Sequence, residues 1–366
     1  MKVLEICQLL EEKAPLAYQE DYDNSGLIFG NPMMEVQKGM LTLDLTPAVM
    51  EEAIANNCNL VISHHPFIFK GVKKFPDGAP ETTILSLAIR NNVAIYSIHT
   101  NLDNILEGLN AFLITKLGIP KYSILNPKHG LIEKLVTFCP SDHAESVRQA
   151  LFAAGAGTIG SYDRCSFNAP GVGTFRASEI SNPYVGEKNK LHFENEERIE
   201  VVLPQYLRNK VVRALTGAHP YEEIAYDIYP LLNPLTQVGA GVVGTYEKEI
   251  PEAEFLSLVR KTLHVPVIRH SALRSKPVKK VAICSGSGSF LINMALKEGA
   301  DVFITADLKY HDFFLPSNRM VLADIGHYES EHWVKEWLNA ALIEKFPNFA
   351  FLISEQNTNP VHYFLK

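Results

Sequence analysis

Cysteine is scarce and unpatterned in this chain. Its five residues (Cys7, Cys58, Cys139, Cys165 and Cys284) are scattered, with no Cys-x-x-Cys spacing. That argues against a thiolate metal site or a disulfide framework and fits buried thiols in a reducing cytoplasm. Positive charge is also short: 34 Lys and Arg against 41 Asp and Glu leave a formal net charge of −7. General nucleic-acid binding, which needs a basic face to displace counterions, is therefore not expected. The one local basic stretch, Arg269, Arg274, Lys276, Lys279 and Lys280, precedes a strand and reads as a solvated linker, with anion steering the lesser alternative. No apolar run approaches the roughly 18 residues a transmembrane helix requires, so no membrane partner is expected. The N-terminus pairs Val3, Ile6, Leu9 and Leu10 with Glu5, Glu11 and Glu12, the pattern of an amphipathic helix and not of a signal peptide.

What is present is ordinary globular composition, 46% hydrophobic and 20% charged over 366 residues, which suggests two or three domains. From residue 38 strands and helices alternate. Gly39–Leu45 reads as a strand, Thr46 caps a helix with Pro47 at its first position, and strands at 59–63 and Val93–Ile98 follow. The C-terminal stretch repeats the style, with strands at Val278–Cys284, Val302–Thr305 and Met320–Ile325 before one long helix, Ser330–Lys345. This alternation predicts an α/β fold of two facing units with largely parallel sheets. Between them the order changes to βα, strands, αβ, with Asp142 capping the first helix; that is the order of a ferredoxin-like α+β sandwich. The expected organisation is residues 1–127 and 235–366 as two halves of one core, with 128–234 as an inserted domain.

Three strand ends carry metal-ligand chemistry. The run Asn59–Ile62 leads into Ser63-His64-His65-Pro66; Val93–Ile98 ends in His99, with Asp103 four residues on; Met320–Ile325 is followed by His327, with Glu331 four residues on. Imidazole nitrogens and carboxylate oxygens bind zinc, iron, manganese or nickel, and ligands in open α/β sheets bind beyond the carboxyl ends of strands. Six such side chains exceed what one tetrahedral ion needs, so two divalent ions per chain is the natural reading. Either Glu331 or Asp103 could bridge them. Asp307 and His311 form another i, i+4 pair, readable as a general base with its support or as an exposed helix pair. Ser285-Gly286-Ser287-Gly288 reads equally as a weak phosphate cradle or a tight turn, and Asn24 and Ser25 as turn residues.

Four ordered motifs, Asp23-Asn24-Ser25-Gly26-Leu27, Ser63-His64-His65-Pro66, His99-Thr100-Asn101-Leu102-Asp103 and Gly326-His327-Tyr328-Glu329-Ser330-Glu331, closely resemble those of the GTP cyclohydrolase I type 2 homologues, the Nif-three-like family. The resemblance covers roughly residues 1–126 and 236–366; Tyr22 stands where that family usually has Trp. It implies a dinuclear centre on His64, His65, His99, Asp103, His327 and Glu331, and a hexamer of two stacked trimers. It also implies an insert similar to PII and CutA proteins, whose signature Gly217-Ala218-His219-Pro220-Tyr221-Glu222-Glu223 resembles. His219, Glu222 and Glu223 could pass for a further metal site, the less favoured reading since Pro220 and Tyr221 suggest a turn.

Two function classes stand. One is a metal-dependent hydrolase of a nucleotide or other phosphate-bearing small molecule, GTP ring opening being what the family name implies. The other is a metal-binding scaffold or sensor whose insert regulates access or recruits a partner.

Overall fold

Short runs of consecutive apolar residues become parallel strands covered on both faces. Leu60–Ser63, Ala94–Ser97, Val302–Ala306 and Val321–Asp324 are buried at every position, which is why their sequences lack polar alternation. The computed structural model describes residues 1–364. They divide into two compact units, one formed by Met1–Asn126 and the chain from Gln237 onward, the other by Pro127–Thr236.

The larger unit holds two sheets. The five-stranded sheet runs Gly26–Phe29, Ala94–Ser97, Leu60–Ser63, Gly39–Thr42, Phe351–Ile353, parallel throughout except for its first strand. The six-stranded sheet centres on the parallel strands Val321–Asp324, Val302–Ala306 and Val278–Ser287. Each has its own core: Met40, Val61, Ile84 and Ile95 in the first, Ala282, Phe303, Leu322 and Leu291 in the second. Two sheets with helix crossovers make the α/β fold that the alternation predicts. The helix Pro47–Ala55 starts as expected, with Thr46 Oγ1 accepting from Val49 N–H.

The smaller unit has the element order βαββαβ and an antiparallel sheet ordered Phe167–Arg176, Leu191–Pro204, Ile132–Pro140, Tyr226–Pro230. Helices Ala144–Ala153 and Arg208–Ala218 bury Val147, Leu151, Val211 and Leu215 against Leu135, Ile199 and Val201.

Three local expectations need correction. The helix after Met320–Ile325 is not continuous: His327–Glu331 ends in a turn at His332 and Trp333 before Val334–Lys345 begins. Asp142 does not cap the first helix of the smaller unit, because His143 occupies the N-cap and makes no side-chain capping bond. The strand from Gly39 stops at Thr42, which frees Asp44 from the ladder. Four of the five cysteines are buried, and all five are unpaired. Among the described residues, no helix is long and apolar enough to cross a membrane.

Candidate metal centre

Sheet register builds the site. Thr42 pairs with Ser63, and Ser63 with Ser97, so three parallel strands end level with one another. Two residues beyond those three positions stand Asp44, His65 and His99. In the other sheet Thr305 pairs with Asp324, and Asp307 and His327 follow within three residues. Carboxyl ends of parallel strands from both sheets thus deliver the polar side chains, as sheets of this kind do.

The candidate ligand atoms of His64, His65 and His99 lie within 4.8 Å of one another, and so do those of His65, His327 and Glu331. His65 is common to both trios. Asp103 Oδ2 is 3.7 Å from His64 Nε2, and Glu331 Oε2 is 2.9 Å from His65 Nε2 and 2.8 Å from His327 Nε2. All six residues read from the sequence as ligands are therefore gathered in one place.

Each imidazole is held from behind through Nδ1. His64 Nδ1 is 2.7 Å from Ile98 O, His65 Nδ1 is 2.7 Å from Asp44 Oδ1, His99 Nδ1 is 2.7 Å from Asp23 Oδ1, and His327 Nδ1 is 2.7 Å from Asp307 Oδ2. An oxygen acceptor at Nδ1 fixes the proton there and leaves the Nε2 lone pair for the cluster, the usual outer support of metal-binding histidines. Asp23 is itself fixed by Thr100 N–H at 3.0 Å, the Thr100 hydroxyl and Ser25 Oγ, and Asp44 by Thr358 Oγ1 at 2.6 Å. Asn24 and Ser25 do more than shape a turn: Asn24 Nδ2 bonds Ile68 O beyond the two histidines, and His99 N–H donates to Ser25 Oγ.

Inside the cluster, hydrogen bonding is incomplete. His64 is 0% exposed, and His64 Nε2 and Asp103 Oδ1 are buried with no hydrogen-bond partner among the described residues, while the buried Glu331 Oε2 meets the Nε2 atoms of His65 and His327. Such atoms cost about 1–3 kcal/mol each when left unsatisfied, more if charged. Two such atoms on a cluster whose Glu331 oxygen already joins two imidazoles fit a cation as the missing partner, and the mixed nitrogen and oxygen donor set suits a divalent transition metal. Electrostatics agree. Burial holds His64 neutral, its pKa lowered to about 3. Burial, then the charge of Glu331, lifts Asp103 well above the ordinary carboxylate range. Burial opposes ionisation of Glu331 as well, but His327 and His65 outweigh it and hold it well below.

Of the two residues read as catalytic, one joins the cluster and one does not. Asp307 is no helix residue; it takes a left-handed backbone (φ +56°) that turns it onto His327. His311 lies in a short 3-10 turn, exposed and stacked edge-on against Tyr310. Asp44 escaped the sequence reading; its position just past a strand parallel to Leu60–Ser63 was the signal available. Gly286 is no phosphate cradle: at φ +60°, a Cβ there would lie 2.1 Å from Glu331 Oε1. His219 is consumed structurally, Nδ1 accepting from Tyr221 N–H at 3.1 Å and Nε2 standing 2.9 Å from Phe138 O, so neither nitrogen is spare for a metal. The basic stretch is partly structural too, since buried Arg274 is clamped between Glu252 and Asp301 at 3.0 and 2.5 Å.

Imidazoles and carboxylates converging from two α/β sheets form a site that could hold metal ions. The Duf34/NIF3 (NGG1p interacting factor 3) family profile matches residues 1–360, and the chain belongs to that family. It is 35% identical over 365 residues to a Bacillus subtilis protein named GTP cyclohydrolase 1 type 2 homolog, covering 97% of each chain. A protein of that name from Halalkalibacterium halodurans is 34% identical, again over 97% of both. Among solved structures, a Bacillus cereus protein related to NIF3 superposes with a TM-score of 0.85 at 34% identity, covering 100% of this chain and 99% of that one. A Staphylococcus aureus protein gives 0.79 at 28% identity, with the same coverage.

Proposed function

We propose that the chain holds two divalent metal ions on His64, His65, His99, Asp103, His327 and Glu331, and hydrolyses a nucleotide or other phosphate-bearing small molecule. The observation that carries this reading is four histidines each anchored at Nδ1, converging with Asp103 and Glu331 where His64 Nε2 and Asp103 Oδ1 are buried without a partner among the described residues. Ions bound there would supply Lewis acidity and bring the pKa of a water toward neutrality. The remaining roles belong to the protein's own groups. A cavity of about 440 Å³ opens beside His65 and His327, within the size range of small-molecule sites. Among the described residues, Arg269 is the only lysine or arginine lining it, over half exposed, with its guanidinium 3.3 Å from Asp324. In this reading its remaining N–H groups would receive a phosphate, a planar guanidinium matching phosphate oxygens in pairs, while Asp324 and Leu308 O hold it in place. Asp307 lines the same cavity while holding His327, so its role here is to orient that ring.

The direct test is turnover. Hydrolysis of a nucleotide or phosphoester panel should depend on divalent metal and stop with chelator. Metal-dependent binding without turnover above the Glu331→Ala background would favour the scaffold reading instead. Asp44→Asn removes the charge behind His65 but keeps its shape. It is expected to weaken metal binding about 10- to 100-fold, the usual cost of losing such a partner, in competition with a chromogenic chelator. Unchanged affinity would show that Asp44 does not support a ligand.

Proton release gives a further check. Burial opposes charge on His65 and His327, but Asp44 with Glu331 raises His65 to about 10, and Glu331 with Asp307 raises His327 to about 9. Protein stripped by a chelator therefore carries protons on both rings at pH 7. Zinc addition in weak buffer should release at least two protons per chain, because ligands must deprotonate to bind, with Asp103 adding to that number wherever its raised pKa keeps it protonated. Apparent affinity should rise with pH and level off above the range of those two pKa values. A pH-independent affinity between pH 6 and 9 would show that these rings are not protonated in the metal-free protein.

A further inference from the structure

The signature around His219 is not absorbed by the metal centre. Its residues Tyr221, Glu222 and Glu223 instead line a separate cavity of about 590 Å³ lying wholly within the 127–236 unit. Its walls are aromatic. The Tyr221 ring sits between Phe175, at 6.0 Å between centroids, and Tyr184, at 6.3 Å, and Phe138 also lines the space. Its charge is negative. Glu196, Glu222 and Glu223 reach it, while Arg198 is the only lysine or arginine among the described lining residues and is already paired with Glu200 at 2.9 Å. The Glu196 carboxylate is held by the Tyr221 hydroxyl at 2.9 Å, and a Cβ at Gly173 would lie 2.1 Å from Glu196 Oε2, so glycine there makes room for that carboxylate. Glu222 Oε1 accepts from Asn182 N–H at 2.8 Å, which fixes a second carboxylate at the rim.

Aromatic faces attract cations through their quadrupoles, and unneutralised carboxylates exclude anions. A hydrated metal ion would leave the apolar rings unused, and a neutral apolar ligand would leave the carboxylates uncompensated. We infer that this cavity binds a small organic ammonium ion, its alkyl groups against Tyr184, Tyr221 and Phe175 and its charge balanced by Glu196 and Glu222.

Titration calorimetry of the full-length protein with choline, against its uncharged carbon isostere 3,3-dimethyl-1-butanol, tests this. Choline should bind at least roughly tenfold more tightly than the isostere, and Tyr184→Ala or Glu222→Gln should each weaken choline roughly tenfold. Both positions are exposed and outside the hydrophobic core of the unit, so folding should survive. His64→Ala should leave choline binding unchanged. No choline binding, equal binding of the isostere, or affinity unchanged in both cavity variants would overturn the assignment.

Discussion

Glu331→Ala is expected to purify with less than about a tenth of the metal carried by the wild-type protein, a larger loss than removal of an outer partner produces. Glu331 reaches two imidazoles with one oxygen, 2.9 Å from His65 Nε2 and 2.8 Å from His327 Nε2, and no other carboxylate among the described residues pairs with either Nε2. Glu331→Gln keeps the volume and removes the charge. It should lose metal as well, which separates coordination from packing. His65→Ala should be at least as damaging, because His65 belongs to both ligand trios. The matched control is His219→Ala, whose ring nitrogens are both engaged in the smaller unit. Elemental analysis decides: equal metal in the Glu331 and His219 variants would sink the assignment.

Gly286→Ala should be nearly as severe, although glycine has no ligand atom. Its left-handed backbone costs a Cβ-bearing residue about 1–2 kcal/mol, and the added methyl would lie 2.1 Å from Glu331 Oε1 and 3.5 Å from His327 Cε1. Something must move, and the nearest group is the carboxylate that joins two histidines. Gly299→Ala isolates the backbone cost, since Gly299 has φ +69° and a methyl added there would meet nothing within 4 Å. Both variants should lower the thermal midpoint, and only Gly286→Ala should also lose metal. If Gly286→Ala retains full metal content, Glu331 is not positioned by this close approach.

Much of the site was legible along the chain because the ligands come in local groups: two adjacent histidines, and two pairs four residues apart, each just past an apolar run. Those runs also announced the parallel sheets, since strands buried on both faces need no polar alternation. The same local logic misled where a pattern had no tertiary support. Asp307 and His311 have helical spacing, but Asp307 adopts a left-handed turn and only it reaches the cluster. Ser330–Lys345 reads as one helix, yet the chain breaks at His332 and Trp333 after delivering Glu331.

The sequence by itself determined which residue types stand at the strand ends, and therefore the chemistry available there. The tertiary structure alone decided which of them meet. Asp23 holds a histidine 76 residues away, Asp44 one 21 residues away and Asp307 one 20 residues away. No local periodicity encodes those pairings. They follow from strand register, Thr42 beside Ser63 beside Ser97 in one sheet and Thr305 beside Asp324 in the other. Register is set by backbone hydrogen bonds and core packing across the whole sheet, a long-range balance in which no single aspartate announces its partner.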